Sequence, residues 1–132
     1  MKTALCTLLC LLFGILNATA ISYERAASYA SQQLNVLYPD HAQDSYDVLT
    51  DNSQAIAYVF HLLPTGYLVV SAQDELPPLL AYSGSSEFGS LEGDNILRDI
   101  IVADLQSRQQ SEIAADLNRQ AWQSIKIGRA HV

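Results

Sequence analysis

"YVFHLLPTGYLVVSAQDELPPLLAYS" occupies residues 58–83 and holds two apolar runs on either side of Pro64-Thr65-Gly66. A proline that fixes φ, followed two residues later by a glycine free to take positive φ, is what a tight antiparallel connection needs. Reading back to Ile56 gives a strand with Ile56, Tyr58, Phe60 and Leu62 on one face and Ala57, Val59, His61 and Leu63 on the other. Both faces are mostly apolar, so this is a central strand covered on both sides. "YLVVSA", residues 67–72, returns beside it, with the β-branched pair Val69-Val70 suited to a pleated surface. Pro77-Pro78 removes two backbone donors and ends that strand, and a third run starts at once with Leu79 to Ser83.

Upstream, Ala26, Ala27, Ala30, Leu34 and Leu37 recur at three- and four-residue spacings behind Ser22, which predicts an amphipathic helix from Tyr23 to Leu37 capped by Ser22 and ended by Pro39. The stretch from Asp40 to Ser53 is polar, with a short extended candidate at Tyr46 to Thr50 and a turn at Asp51 to Ser53. Downstream, "GSSEFGSLEGDN" is a Gly/Ser-rich loop whose sizeable apolar groups are Phe88 and Leu91. An aromatic in such a loop more often folds back on the core than binds a partner. Asp94 or Asn95 caps a helix with apolar positions from Ile96 to Ile125, and the polar run Gln106 to Glu112 implies a break or a projecting second half. The order of helix, antiparallel strands and helix predicts an α+β fold: an antiparallel β-sheet with an N-terminal helix and a long C-terminal helix.

The ends bound the domain. Lys2, an apolar run from Ala4 to Leu16 and the small residues Ala18 and Ala20 form a secretory signal peptide over residues 1–20, with the mature chain expected to begin near Ile21. The run falls short of the roughly 20 apolar residues that a membrane-spanning helix needs. The last six residues, 127–132, "IGRAHV", resemble the translation of a sequencing-adapter read, so the protein is expected to continue past Lys126. Residues 21–126 then form one domain with a modest core, in a protein expected to be secreted or periplasmic.

Charge and cysteine usage exclude several functions. Between residues 21 and 126 stand fourteen acids and five bases, a net charge of −9, which makes nucleic acid and anionic membranes poor partners. Cys6 and Cys10 both lie in the leader, so the domain has no disulfide, zinc thiolate or cysteine nucleophile of its own. His41 and His61 have no ligand spacing, and His61 reads as a structural residue in mid-strand, so no metal or other cofactor is expected. Asp74 and Glu75 are neighbours in an extended segment and point to opposite faces, so a solvated turn describes them better than a shared-proton pair. No G-x-S-x-G elbow, phosphate loop or dinucleotide fingerprint is present, and the fragment is not expected to be an enzyme. Trp122 and Tyr29 read as core, and Asn95 reads first as a helix cap.

The pieces acquire a joint meaning in their order. "YVF" at Tyr58 to Phe60, "GYLVVS" at Gly66 to Ser71, "PLLAYS" at Pro78 to Ser83, Phe88, and Asn95-Ile96 opening a helix resemble the prosegment of streptopain-type cysteine peptidases and the related Spi-type inhibitors. "ERAASYASQQL", residues 24–34, is similar to that family's first helix, and the likeness runs from about residue 22 to 122. Leu62-Leu63-Pro64 and Leu68 depart from the family pattern, at positions that affect packing. The resemblance implies a domain that blocks a papain-like cysteine peptidase until it is removed. It also implies that Asn95, which matches the family residue lying at the catalytic cleft, is the blocking residue, with Phe88 and Arg98 as flanking contacts.

Three functions compete at this level. One is the inhibitory propeptide of a secreted streptopain-type precursor, the peptidase held in cis with its catalytic Cys and His beyond Lys126. Another is a stand-alone Spi-type inhibitor acting in trans, for which the coding frame stops soon after Ile125. The third is a non-inhibitory secreted α+β binding domain that leaves thiol peptidases unaffected.

Overall fold

The computed structural model describes residues 19–108 and 112–125. Helix α1 (Tyr23–Leu37) is followed by strands β1 (Ala42–Asp51), β2 (Gln54–Leu63), β3 (Tyr67–Ser71) and β4 (Leu79–Ser83), then by helices α2 (Ile96–Arg108) and α3 (Glu112–Ser124). The strands form one antiparallel meander in the order β1-β2-β3-β4. The α+β arrangement expected from the sequence is therefore the one found, with its C-terminal helical part described as two 13-residue helices.

Local chemistry sets the connections. Ser22 caps α1, its hydroxyl accepting from the Arg25 N–H at 3.2 Å. Asn52 and Ser53 take φ of 51° and 65° between β1 and β2, the left-handed pair that a two-residue hairpin requires. Gly66 has φ 113°, and a Cβ there would collide with the Ser83 carbonyl oxygen of β4. β1 is twice as long as the extended candidate at Tyr46 to Thr50. Pairing with β2 satisfies the backbone of a sequence too polar to advertise a strand, and of its residues only Leu49 is buried.

Alternation divides the sheet between two cores. Tyr58, Phe60, Leu62, Leu68 and Val70 face α1, whose Ala26, Tyr29, Ala30 and Leu34 close over them. On the other face Ala57, Val59, Tyr67 and Val69 meet Ile101 and Leu105 of α2 and Phe88 of the loop before it. Ile56 departs from the expected alternation and joins this second core. Leu49 pairs with Ala57 while Thr50 pairs with Ala55, so Ile56 is the extra residue of a bulge that re-aims it. All five residues of β3 are buried, as a strand covered on both faces must be.

The two C-terminal helices serve opposite faces, which one straight helix could not do. Ile101 and Leu105 of α2 lie in the second core, whereas Trp122 of α3 lies in the first, its ring 5.6 Å from that of Tyr29. Three tyrosines carry a pH consequence. Burial raises the pKa of Tyr29, Tyr58 and Tyr67 above the ordinary 10.0, with Tyr46 and Glu24 adding to the effect at Tyr58 and Tyr38 at Tyr67. An unfolded chain sheds these protons near pH 10 while the folded one holds them, so their contribution is complete below that value and is lost as pH climbs through the raised values. Urea midpoints are expected to hold up to about pH 10 and to fall as pH rises above it. A flat profile there would show that these phenols are not protected by the fold.

Candidate functional site

The site is built at the corner where the Gly/Ser-rich loop enters α2. Asn95 is its centre, and every polar atom of its side chain is used. The Oδ1 accepts from the Arg98 N–H at 3.0 Å, the reach of a helix cap, while Nδ2 donates to the Phe88 carbonyl at 3.0 Å and the Ser90 carbonyl at 2.9 Å. One amide thus caps the helix and ties down the loop. Arg98 adds a second tie, its guanidinium donating to the Leu91 carbonyl at 2.5 Å and to Asp99 at 2.9 Å.

From inside, Phe88 pins the same loop. It is 3% exposed and stands edge-on to Tyr67 with ring centroids 5.3 Å apart. The three residues singled out in the sequence are therefore brought together, with unlike roles. Asn95 and Arg98 hold the loop backbone, and Phe88 anchors it in the core, so any part it has in a contact runs through the loop it fixes. Gly89 and Gly93 take φ of 85° and 74°, conformations that let the short segment between Phe88 and Asn95 close on itself. Nothing lies within 4 Å of a Cβ built on Gly93, which leaves that part of the loop open to an incoming surface.

Two features near this corner escaped the sequence. A cleft of about 460 Å³ runs between β1 and α2, lined by Val48, Leu91, Val102 and Ala103 with Arg98 and Asp99 among its polar groups. Ile96 and Ile100 stand 77% and 59% exposed immediately after Asn95. The available signal was that Ile96 and Ile100 cannot share a core-facing stripe with Ile101 and Leu105 on one helix.

The remaining chemical candidates resolve into structure. His61 pairs with Asp47 of β1 at 2.7 Å. Asp74 and Glu75 lie in the turn expected of them, but half-buried and not fully solvated: Arg119 of α3 lies 3.9 Å from Asp74 and 2.7 Å from Glu75, so a tertiary cation gathers both acids. Among the described residues no cluster of His, Cys, Asp and Glu could hold a metal ion, and no helix is long and apolar enough to cross a membrane. The expected leader falls mostly outside the described residues, as do residues 127–132. Ile21, the expected first mature residue, is buried in the first core, and its N–H donates to the Ala72 carbonyl at 2.8 Å.

Comparison with known proteins gives one match. The family described as Spi protease inhibitor covers residues 18–108, more than half of the chain, and takes in α1, the whole sheet, the loop and α2. No curated protein and no solved structure matches.

Proposed function

Because the chain belongs to the Spi protease inhibitor family, we propose that it inhibits a papain-like cysteine peptidase of the streptopain type by presenting the Phe88–Asn95 loop to the catalytic cleft. The observation that carries this reading is the triple hydrogen bonding of Asn95, which gives an exposed loop a set shape. Inhibiting a hydrolase demands a segment that fills the cleft without offering a bond in the orientation for attack. A loop already fixed at both ends avoids most of the ordering cost on binding, because its conformation is settled before the enzyme is met. Asn95 is the blocking residue in this scheme, Arg98 sets the loop beside it, and Phe88 anchors the loop through the core.

The leader pattern supports secretion, with the domain serving as the removable lid of a peptidase precursor. Reading the coding sequence past Lys126 separates the two modes of action. A continuing frame that reaches a Cys and a later His makes the domain a propeptide acting in cis, and an early stop makes it an inhibitor acting in trans.

The inhibitory reading itself is tested with the purified chain, freed of its leader, titrated against active streptopain and papain using a fluorogenic peptide. Saturable, competitive inhibition of at least one enzyme is expected. Full activity of both at micromolar domain would overturn the reading in favour of a non-inhibitory binding domain.

A further inference from the structure

We propose that the outward stripe of α2, Ile96 and Ile100, is a second contact for the same peptidase, seated on an apolar patch of the enzyme rimmed by Lys or Arg and lying outside its cleft. The proposal rests on the inhibitory reading above and names a surface which that reading does not require.

A helix lying on a sheet needs one apolar stripe, and α2 already has it in Ile101 and Leu105, both buried. Ile96 and Ile100 form a further pair one turn apart on the solvent side, 77% and 59% exposed. Helix propensity does not account for them, since Ala, Glu, Lys or Gln would serve an exposed helical position better than a β-branched residue. Single exposed apolar residues are ordinary. This pair differs in its place: Ile96 directly follows the cap residue Asn95, so the stripe and the held loop form one continuous surface.

Charge chooses the occupant. Glu92 and Asp94 precede the stripe and Asp99 and Asp104 lie on its helix; Arg98 is bound to Asp99 and the Leu91 carbonyl, and Arg108 to Asp104, so with four acids against two bases residues 92–108 keep a net charge of −2. A second copy docked about a two-fold axis would set these acids against their own counterparts, at an electrostatic cost. A peptidase surface with a basic rim turns the same acids into attraction, which also raises the rate of encounter at low salt.

The test replaces both isoleucines by glutamine, a good helix former, and compares Ile96→Gln/Ile100→Gln with a control on α3, Ile113→Gln/Leu117→Gln, whose side chains are as exposed but lie on a different helix. Inhibition constants against streptopain, the thermal midpoint and the sedimentation coefficient are measured for each. The expected result is a roughly tenfold or greater weakening for the α2 pair, with an unchanged thermal midpoint and no weakening for the α3 pair. Unaltered inhibition by the α2 variant, with the wild-type chain inhibiting, overturns this proposal and leaves the inhibitory reading standing. A wild-type dimer that the α2 variant dissociates, again with unaltered inhibition, overturns it by assigning the face to a second copy. A wild-type chain that inhibits neither streptopain nor papain brings down the inhibitory reading and this contact with it.

Discussion

Trp122→Ala is expected to destabilise the domain by about 3–5 kcal/mol, the range for deleting a buried aromatic. Trp122 is 1% exposed in the first core. Its Nε1–H donates to the Leu76 carbonyl at 3.2 Å, the Arg25 guanidinium lies 5.3 Å from its ring centroid, and its own carbonyl accepts from Arg25 at 2.8 Å. Removing the ring opens a cavity between α1 and the sheet and leaves the Leu76 carbonyl without its indole donor. A domain of this size has only about 5–15 kcal/mol in total, so the loss is a large fraction of it. Urea unfolding followed by circular dichroism measures the effect, since the substitution also removes the chain's single tryptophan. A loss below about 1 kcal/mol, the value typical of an unspecialised substitution, would show that α3 is an appendage. The expected loss would show instead that the folded unit extends beyond residue 108, where the family match ends.

The second large effect concerns Asn95 and separates capping from loop control. Asn95→Ala removes the acceptor for the Arg98 N–H and both donors to the loop. It should cost about 0.5–2 kcal/mol for the cap and weaken inhibition of streptopain roughly tenfold, equivalent to about 1.4 kcal/mol of binding free energy. Asn95→Asp keeps the acceptor and gives the helix N-terminus a negative charge that it favours. It loses both donors, however, and turns a carboxylate oxygen toward the Phe88 and Ser90 carbonyls. The aspartate variant is therefore expected to retain the helix cap while inhibiting as poorly as the alanine variant. Wild-type inhibition by the aspartate variant would remove the loop ties from the mechanism, whatever the alanine variant does.

Periodicity alone determined α1, β2 and β3 and their kinds. The two-residue alternation from Ile56 to Ala72, broken by Pro64-Thr65-Gly66 and closed by Pro77-Pro78, is a local signal that tertiary contacts reinforce. The same holds for α1, whose alanines had to face a close surface. The joint order of these pieces was also enough to bring out the likeness to a family that the match over residues 18–108 then established.

Tertiary structure decided what depends on neighbours distant in the chain. β1 became a ten-residue strand because β2 offered it hydrogen bonds, while its own composition is that of a loop. The bulge at Ile56 changed the face of one side chain without any mark in the alternation, since isoleucine suits either core. Arg119 drew Asp74 and Glu75 together across more than forty residues of sequence. At the candidate site, the residue types of Asn95, Phe88 and Arg98 were readable, but the division of labour was not. A cap needs only three residues of context, whereas the ties to the Phe88, Ser90 and Leu91 carbonyls exist only once Phe88 is buried against Tyr67 and the loop has closed.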